Sequence, residues 1–176
     1  WIMSRLNEVT RVTAVNLDKF ETVQSARAIG EFVNDLSTWY LRRSRKRRDQ
    51  EFYETLYGVL KTVLKLLAPF VPFTAEAIYN NLKTADDPES IHLSEWPSSG
   101  EIDKSLLNDM KKVRQLAEIA HAQRAAKNIP LRQPLASATI NQKLSEELLE
   151  ILKDEINVKE IKNDSKVKDI EVDLKI

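Results

Sequence analysis

Between Trp39 and Asp49 the chain reads WYLRRSRKRRD, two aromatic residues leading into Arg42, Arg43, Arg45, Lys46, Arg47 and Arg48. The chain as a whole has a formal net charge of zero, so this concentration of positive charge is local. Cations gathered at one end of a helix make an anion-binding surface. Guanidinium forks match phosphate oxygens two at a time, and neighbouring aromatic rings can stack on unpaired bases. Five of the six cations are Arg, which favours planar, bidentate recognition over mere solubilising charge. The competing reading is a solvated helix end neutralised by Asp49, Glu51 and Glu54. Charge alone leaves both open.

The hydrophobic phase refines the picture. Trp39 and Tyr40 fall in step with the buried stripe of the preceding helix, so at least one of them belongs to the core. Arg43 lies close to the same phase and is expected against an acidic partner. Arg42, Arg45 and Arg48, at intervals of three, are expected on one exposed helical face. A weaker basic group, His121, Arg124, Lys127 and Arg132 in HAQRAAKNIPLRQP, either extends a basic surface or is an ordinary polar helix face; its spacing favours the latter. His92 and His121 have no carboxylates at metal-ligand spacing and read as structural. There is no cysteine, no glycine-rich phosphate loop, no nucleophile elbow and no paired-carboxylate motif. The residues therefore describe a binding module with no catalytic group and no metal ligands.

The elements that must position these residues are mostly helical. Three glycines in 176 residues fit long helices with short links. Ile2, Leu6, Val9, Val12 and Leu17 mark a first amphipathic helix over 2–17. From Val23 a second stripe runs without proline into the basic cluster. Phe52 to Leu67 forms a third helix, ended by Pro69 and Pro72, and Thr74 is placed to cap a fourth through Ile78 and Leu82. Helices of these lengths and links make an antiparallel bundle. A stretch rich in Asp, Ser and Pro follows and sets a boundary near residues 97–102, with a helical domain over 1–97 and a second unit over 98–176. That unit begins with a helix carrying Leu106, Met110, Val113, Leu116 or Ala117 and Ala120, ending near Lys127. LASATI has strand character, and Ser145 opens a helix with Leu148, Leu149, Leu152 and Ile156. VKEI and VKDIEVDLKI alternate as half-buried strands, with NDS between them as a turn. The fold class is mainly α, a helical bundle followed by a small α+β unit.

Taken together, WIMSRLNEV, ARAIGEFVNDLSTWYLRRSRKR, LLAPFVPFTAEAIYNNL and IHLSEWP resemble, in order and spacing, the anticodon-binding helical domain of class I aminoacyl-tRNA synthetases for isoleucine, valine, leucine and methionine. WYLRRSRKR, KNIPLRQPL and SEELLEILKDEINVKEI look like the isoleucine group, where a small α+β unit follows the bundle; valine enzymes usually close with a coiled-coil arm. The resemblance implies tRNA(Ile) as partner, touched through Trp39, Arg42, Arg43, Arg45, Lys46, Arg47 and Arg48, with Lys127 and Arg132 in the second unit. It also implies a cytoplasmic parent ligase using ATP and Mg through catalytic and editing domains. That family's HIGH and KMSKS signatures are absent here, so a piece without them is expected to be inactive and to hold no cofactor. The cysteine zinc site of some isoleucine enzymes has no ligands in this stretch. The alternatives are the matching region of a valyl- or leucyl-tRNA synthetase, and a helical scaffold whose basic patch meets an acidic protein.

Overall fold

The computed structural model describes residues 1–173, which separate into two compact units, Trp1–Asp103 and Lys104 onward. The protein is mainly α, with a small three-stranded sheet.

In the first unit, α1 (Ile2–Asp18), α2 (Thr22–Asp35) and α3 (Gln50–Leu67) share one core. Ile2, Leu6 and Val9 pack with Ile29, Phe32 and Leu36 and with Val59, Val63 and Leu66. Arg5 Nε donates to Asp35 at 2.9 Å near one end of the α1/α2 pair, and Ser25 Oγ donates to the Thr13 carbonyl at 3.4 Å near the other. The pair is therefore antiparallel. On α1 the buried row continues through Thr10 and Thr13, not Val12 and Leu17, which are half-buried. The row 2, 6, 9, 13 holds helical phase, and the sequence reading drifted from it.

α4 (Pro72–Leu82) begins with Pro72 in its first turn, where the missing N–H costs nothing; Thr74 does not cap it. It buries Ala75 and Tyr79, leaving Ile78 exposed and Leu82 half-buried. Tyr79 wins this place because its ring reaches the small core of Leu64, Ala68 and Ile91 while its hydroxyl donates to the Pro88 carbonyl at 2.9 Å. The polar stretch that follows is bonded down. Asp87 holds Lys61 of α3, and Glu76 accepts from Ser90 Oγ at 2.9 Å and Ile91 N at 3.0 Å. Residues beyond 97 return to α1, where Ser99 Oγ donates to the Asn7 carbonyl at 2.9 Å and Asn7 Nδ2 donates to the Glu101 carbonyl at 2.7 Å. These bonds carry the first unit as far as Asp103.

In the second unit, α5 (Lys104–Ala126) buries Met110, Val113, Leu116, Ala117 and Ala120. β1 (Leu135–Ile140), α6 (Glu146–Ile156), β2 (Val158–Asn163) and β3 (Ile170–Val172) follow. Ser145 caps α6 by accepting from Leu148 N, and Asn157, at φ 51, turns the chain into β2. The strand order is β2-β1-β3, with β2 parallel and β3 antiparallel to β1. The NDS turn thus does not fold β2 and β3 into a hairpin; they lie on opposite sides of β1, which offers both a better partner. α5 packs on β3 and α6 on β2, burying Ala138, Ile140, Val158, Ile170 and Val172. The last three residues of the expected strand, 174–176, lie outside the described residues.

Candidate nucleic-acid interface

α2 does not run straight into the basic cluster. Leu36–Leu41 form a π turn, which admits one extra residue into the helical repeat. The buried row passes from Phe32 and Leu36 to Tyr40 and Leu41, which pack on the core, and then to Ser44. Ser44, not Arg43, takes the buried position, and Arg43 is half-buried. Tyr40 stacks on Phe52 of α3 with ring centroids 6.0 Å apart, and burial pushes its hydroxyl up from the ordinary range. Trp39 is half-buried and presents its ring to the Arg42 guanidinium, 5.6 Å from the ring centroid. Arg42 Nε also donates to the Thr38 carbonyl at 2.7 Å.

Helical backbone ends at Arg43, and Ser44, Arg45 and Lys46 form a turn. Arg42, Arg45 and Arg48 therefore do not share a helical face. What ends the helix is the start of the next one. Asp49 caps α3 by accepting from Phe52 N at 3.0 Å, and its carboxylate also takes Arg47 in two bonds of 2.9 and 2.6 Å. Glu51 adds a longer contact to Arg47 at 3.5 Å. The paired guanidinium holds the Asp49 carboxyl well below the usual range, and the bond to Asp49 raises Arg47 further. Glu54 instead accepts from Gln50. Arg48, still exposed, folds back along the turn and donates to the carbonyls of Arg45 at 3.0 Å and Arg47 at 2.7 Å.

The cations thus have different duties. Arg47 is latched to acid, and Arg48 ties the turn together. Arg45 and Lys46 project from the tip into solvent, with no side-chain hydrogen bond or ion pair among the described residues. Beside them stands the Arg42–Trp39 pair. A polyanion would meet two free charges next to a ring and guanidinium already ordered.

In the second unit Lys127 and Arg132 are both exposed. Lys127 lines a shallow cleft on the open face of the sheet with Ser137, Thr139 and Lys162, faced by Glu171 and Asp173. Arg124 belongs to no polar helix face: it is 2% exposed. Its Nη2 donates to the carbonyls of Ile156 at 2.7 Å and Asn157 at 2.9 Å, and its Nη1 to those of Gln133 at 3.0 Å and Pro130 at 3.3 Å. Burial pushes this guanidinium down from its ordinary range. The signal was its place four residues beyond Ala120, in line with the buried stripe. His121 does meet a carboxylate, with Nε2 3.6 Å from Oε1 of the buried Glu155, brought there by the packing of α5 on α6. Among the described residues no three His, Asp or Glu converge as a metal site, and no helix is long and apolar enough to cross a membrane.

The family described as the anticodon-binding domain of tRNA ligase matches residues 1–141. The chain is 39% identical over 175 residues to the isoleucine–tRNA ligase of Clostridium kluyveri and 41% identical over 175 residues to that of Clostridium tetani, in each case across 92% of this chain. The isoleucine–tRNA ligase of Streptomyces coelicolor is 38% identical over 179 residues, across 95% of the chain. The chain spans 17% of the length of each of these relatives. With its helical unit and the start of its second unit inside the matched stretch, the chain belongs to the family of anticodon-binding domains of tRNA ligases.

Proposed function

We propose that this chain is the tRNA-holding part of an isoleucine–tRNA ligase. It grips the anticodon stem-loop of tRNA(Ile) while catalytic and editing domains elsewhere in the ligase, working in the cytoplasm with ATP and Mg, carry out aminoacylation. The observation that carries this reading is the tip of the basic turn. Among the described residues the Arg45 and Lys46 side chains have no partner, and they stand next to Arg42 over Trp39, the combination that phosphate and an unstacked base require. Arg43, Arg47 and Arg48 shape and charge the turn, and Lys127 and Arg132 add phosphate contacts from the second unit. Arg47 contributes less than Arg45, because RNA must first compete with Asp49.

The test is filter binding of tRNA(Ile) and an unrelated tRNA to the chain and to an Arg45→Gln/Lys46→Gln double variant across a salt series. Each phosphate contact adds about 0.7 to the slope of log K against log salt, so two lost contacts lower it by about 1.4. Referred to 1 M salt, the double variant should bind about 70-fold more weakly at about 50 mM and about 14-fold more weakly at about 150 mM. The wild-type chain should also prefer tRNA(Ile). A ratio between the two proteins that does not change with salt refutes the assignment of these two cations. No tRNA binding at all, with capture of an acidic protein instead, refutes the function.

A further inference from the structure

The 3-10 turn Ile91–Leu93 and the residues after it cross the last turn of α3 and leave a cleft of about 180 Å³. Its floor is apolar, Ala68 and Ile91. Its rim is not. Trp96 stands at its edge, 40% exposed, and Lys65, His92 and Glu95 surround it. Among the described residues neither the Trp96 indole N–H nor the Lys65 ammonium has a hydrogen-bond or ion-pair partner, and the Ser94 hydroxyl is buried with none. Ser94 lines the cleft, and its hydroxyl oxygen is itself closed off from solvent. An apolar floor with a few convergent polar groups is the make-up of a ligand site. The cleft is smaller than the several hundred Å³ that enclose a whole ligand. It has room for one flat ring, with the rest of the molecule outside.

We propose that this cleft binds a single unpaired ribonucleotide of the RNA held by the chain, an inference that rests on the function proposed above. The base stacks on Trp96, as bases do on exposed aromatic rings in single-strand binders. The Glu95 carboxylate accepts from a donor on the base edge, and Lys65 neutralises the adjoining phosphate. This is a second contact, remote from the basic turn. Lys65 lies fifteen positions along α3 from Gln50, which is roughly 23 Å at 1.5 Å per residue. An RNA touching both must therefore lie along the bundle rather than at one tip.

The test uses the full 176-residue chain with tRNA(Ile), measuring affinity and salt slope for Trp96→Ala, Trp96→Phe and Lys65→Gln. Loss of the stacked ring should weaken binding about 5- to 150-fold without changing the slope, since indole carries no charge. Phenylalanine keeps a stacking face and should restore most of the affinity. Lys65→Gln should lower the slope by about 0.7. The intrinsic fluorescence of wild type, less that of Trp96→Phe, should be quenched on adding RNA. Wild-type binding with Trp96→Ala unchanged overturns the cleft and leaves the proposed function standing; a wild-type chain with no affinity for tRNA removes both. If Trp96→Ala loses its far-UV circular dichroism, Lys65→Gln decides, and unchanged affinity and slope in it overturn the proposal. A cleft that instead docks a protein segment appears as the same unchanged affinities.

Discussion

Replacing Arg124 with Met keeps the length of the side chain and removes its donors and charge. In the wild type this guanidinium closes four backbone carbonyls from three places in the chain, the loop after α5, the end of α6 and the first residue after it. The Ile156 carbonyl is the buried one; stranded, it costs about 1–3 kcal/mol. The carbonyls of Pro130, Gln133 and Asn157 are nearer solvent and recover water, so each loses only about 0.5 kcal/mol, the lower end of a net hydrogen bond. Against this, the variant no longer buries Nε, which has no partner among the described residues, nor a charge that no carboxylate of those residues pairs. That relief is about 1 kcal/mol. The balance is a destabilisation of about 2–3 kcal/mol, or roughly 10–20 °C for a unit of this size. Arg124→Lys should fall between, because a single ammonium keeps the charge but cannot span four carbonyls in a plane. Urea unfolding followed by circular dichroism measures the loss, and amide hydrogen exchange locates it, with β1 and β2 exchanging faster while α1 to α3 stay protected. A Met variant within about 0.5 kcal/mol of wild type would mean that the carbonyls find other partners, and the buried arginine would then be an accident of packing.

Two further predictions concern the first unit. Phe20 sits at φ 60, 90% exposed, at the residue after the α1 C-cap. Its N–H bonds Leu17 O and the next bonds Asn16 O, a helix ending usually given to Gly. Phe20→Gly should raise stability by about 0.5–1 kcal/mol in thermal melts; a lower melting temperature would show that the ring is held by its neighbours. The Asp87 carboxyl is pulled down to about 2 by its hydrogen bonds from Lys61 and Thr84. A group depressed in the folded state adds stability that is present above its unfolded value, 3.8, and is lost as pH falls toward 2. Wild type should therefore lose more melting temperature between about pH 4 and pH 2 than Asp87→Asn does, and parallel curves would refute the link.

Element order was legible because apolar spacing carries it: α1, α3, α5, β1 and α6 fall where periodicity and caps place them. What escaped the sequence was set by tertiary contacts. The π turn re-phases Leu41 and Ser44, a shift that a pattern scored at a constant helical repeat cannot contain. Tyr79 displaces Ile78 from the core because Pro88 offers its hydroxyl a partner, which no local window shows. The basic cluster was plain as a cluster, but its division of labour was not. Asp49 serves two masters, capping α3 and latching Arg47, and only the fold reveals which arginines this leaves outward. Arg124 was hidden by its residue type, although its position lay in the buried row.

The order β2-β1-β3 also bears on how the second unit comes into being. β1 emerges from the ribosome with neither of its neighbours made. Its parallel partner must wait for all of α6, and its antiparallel partner for β3. Until then LASATI is a strand with two bare edges, the kind of segment that pairs with other chains when it lingers. The charged stretch KLSEELLEILKDE between β1 and β2 favours solubility of the waiting intermediate, and the Ser145 cap helps α6 to start. A synthesis that stalls beyond α6 but before β3 would leave β1 half-paired. Pauses in that window should yield aggregate, while pauses within α1 to α3 should yield a bundle still able to finish.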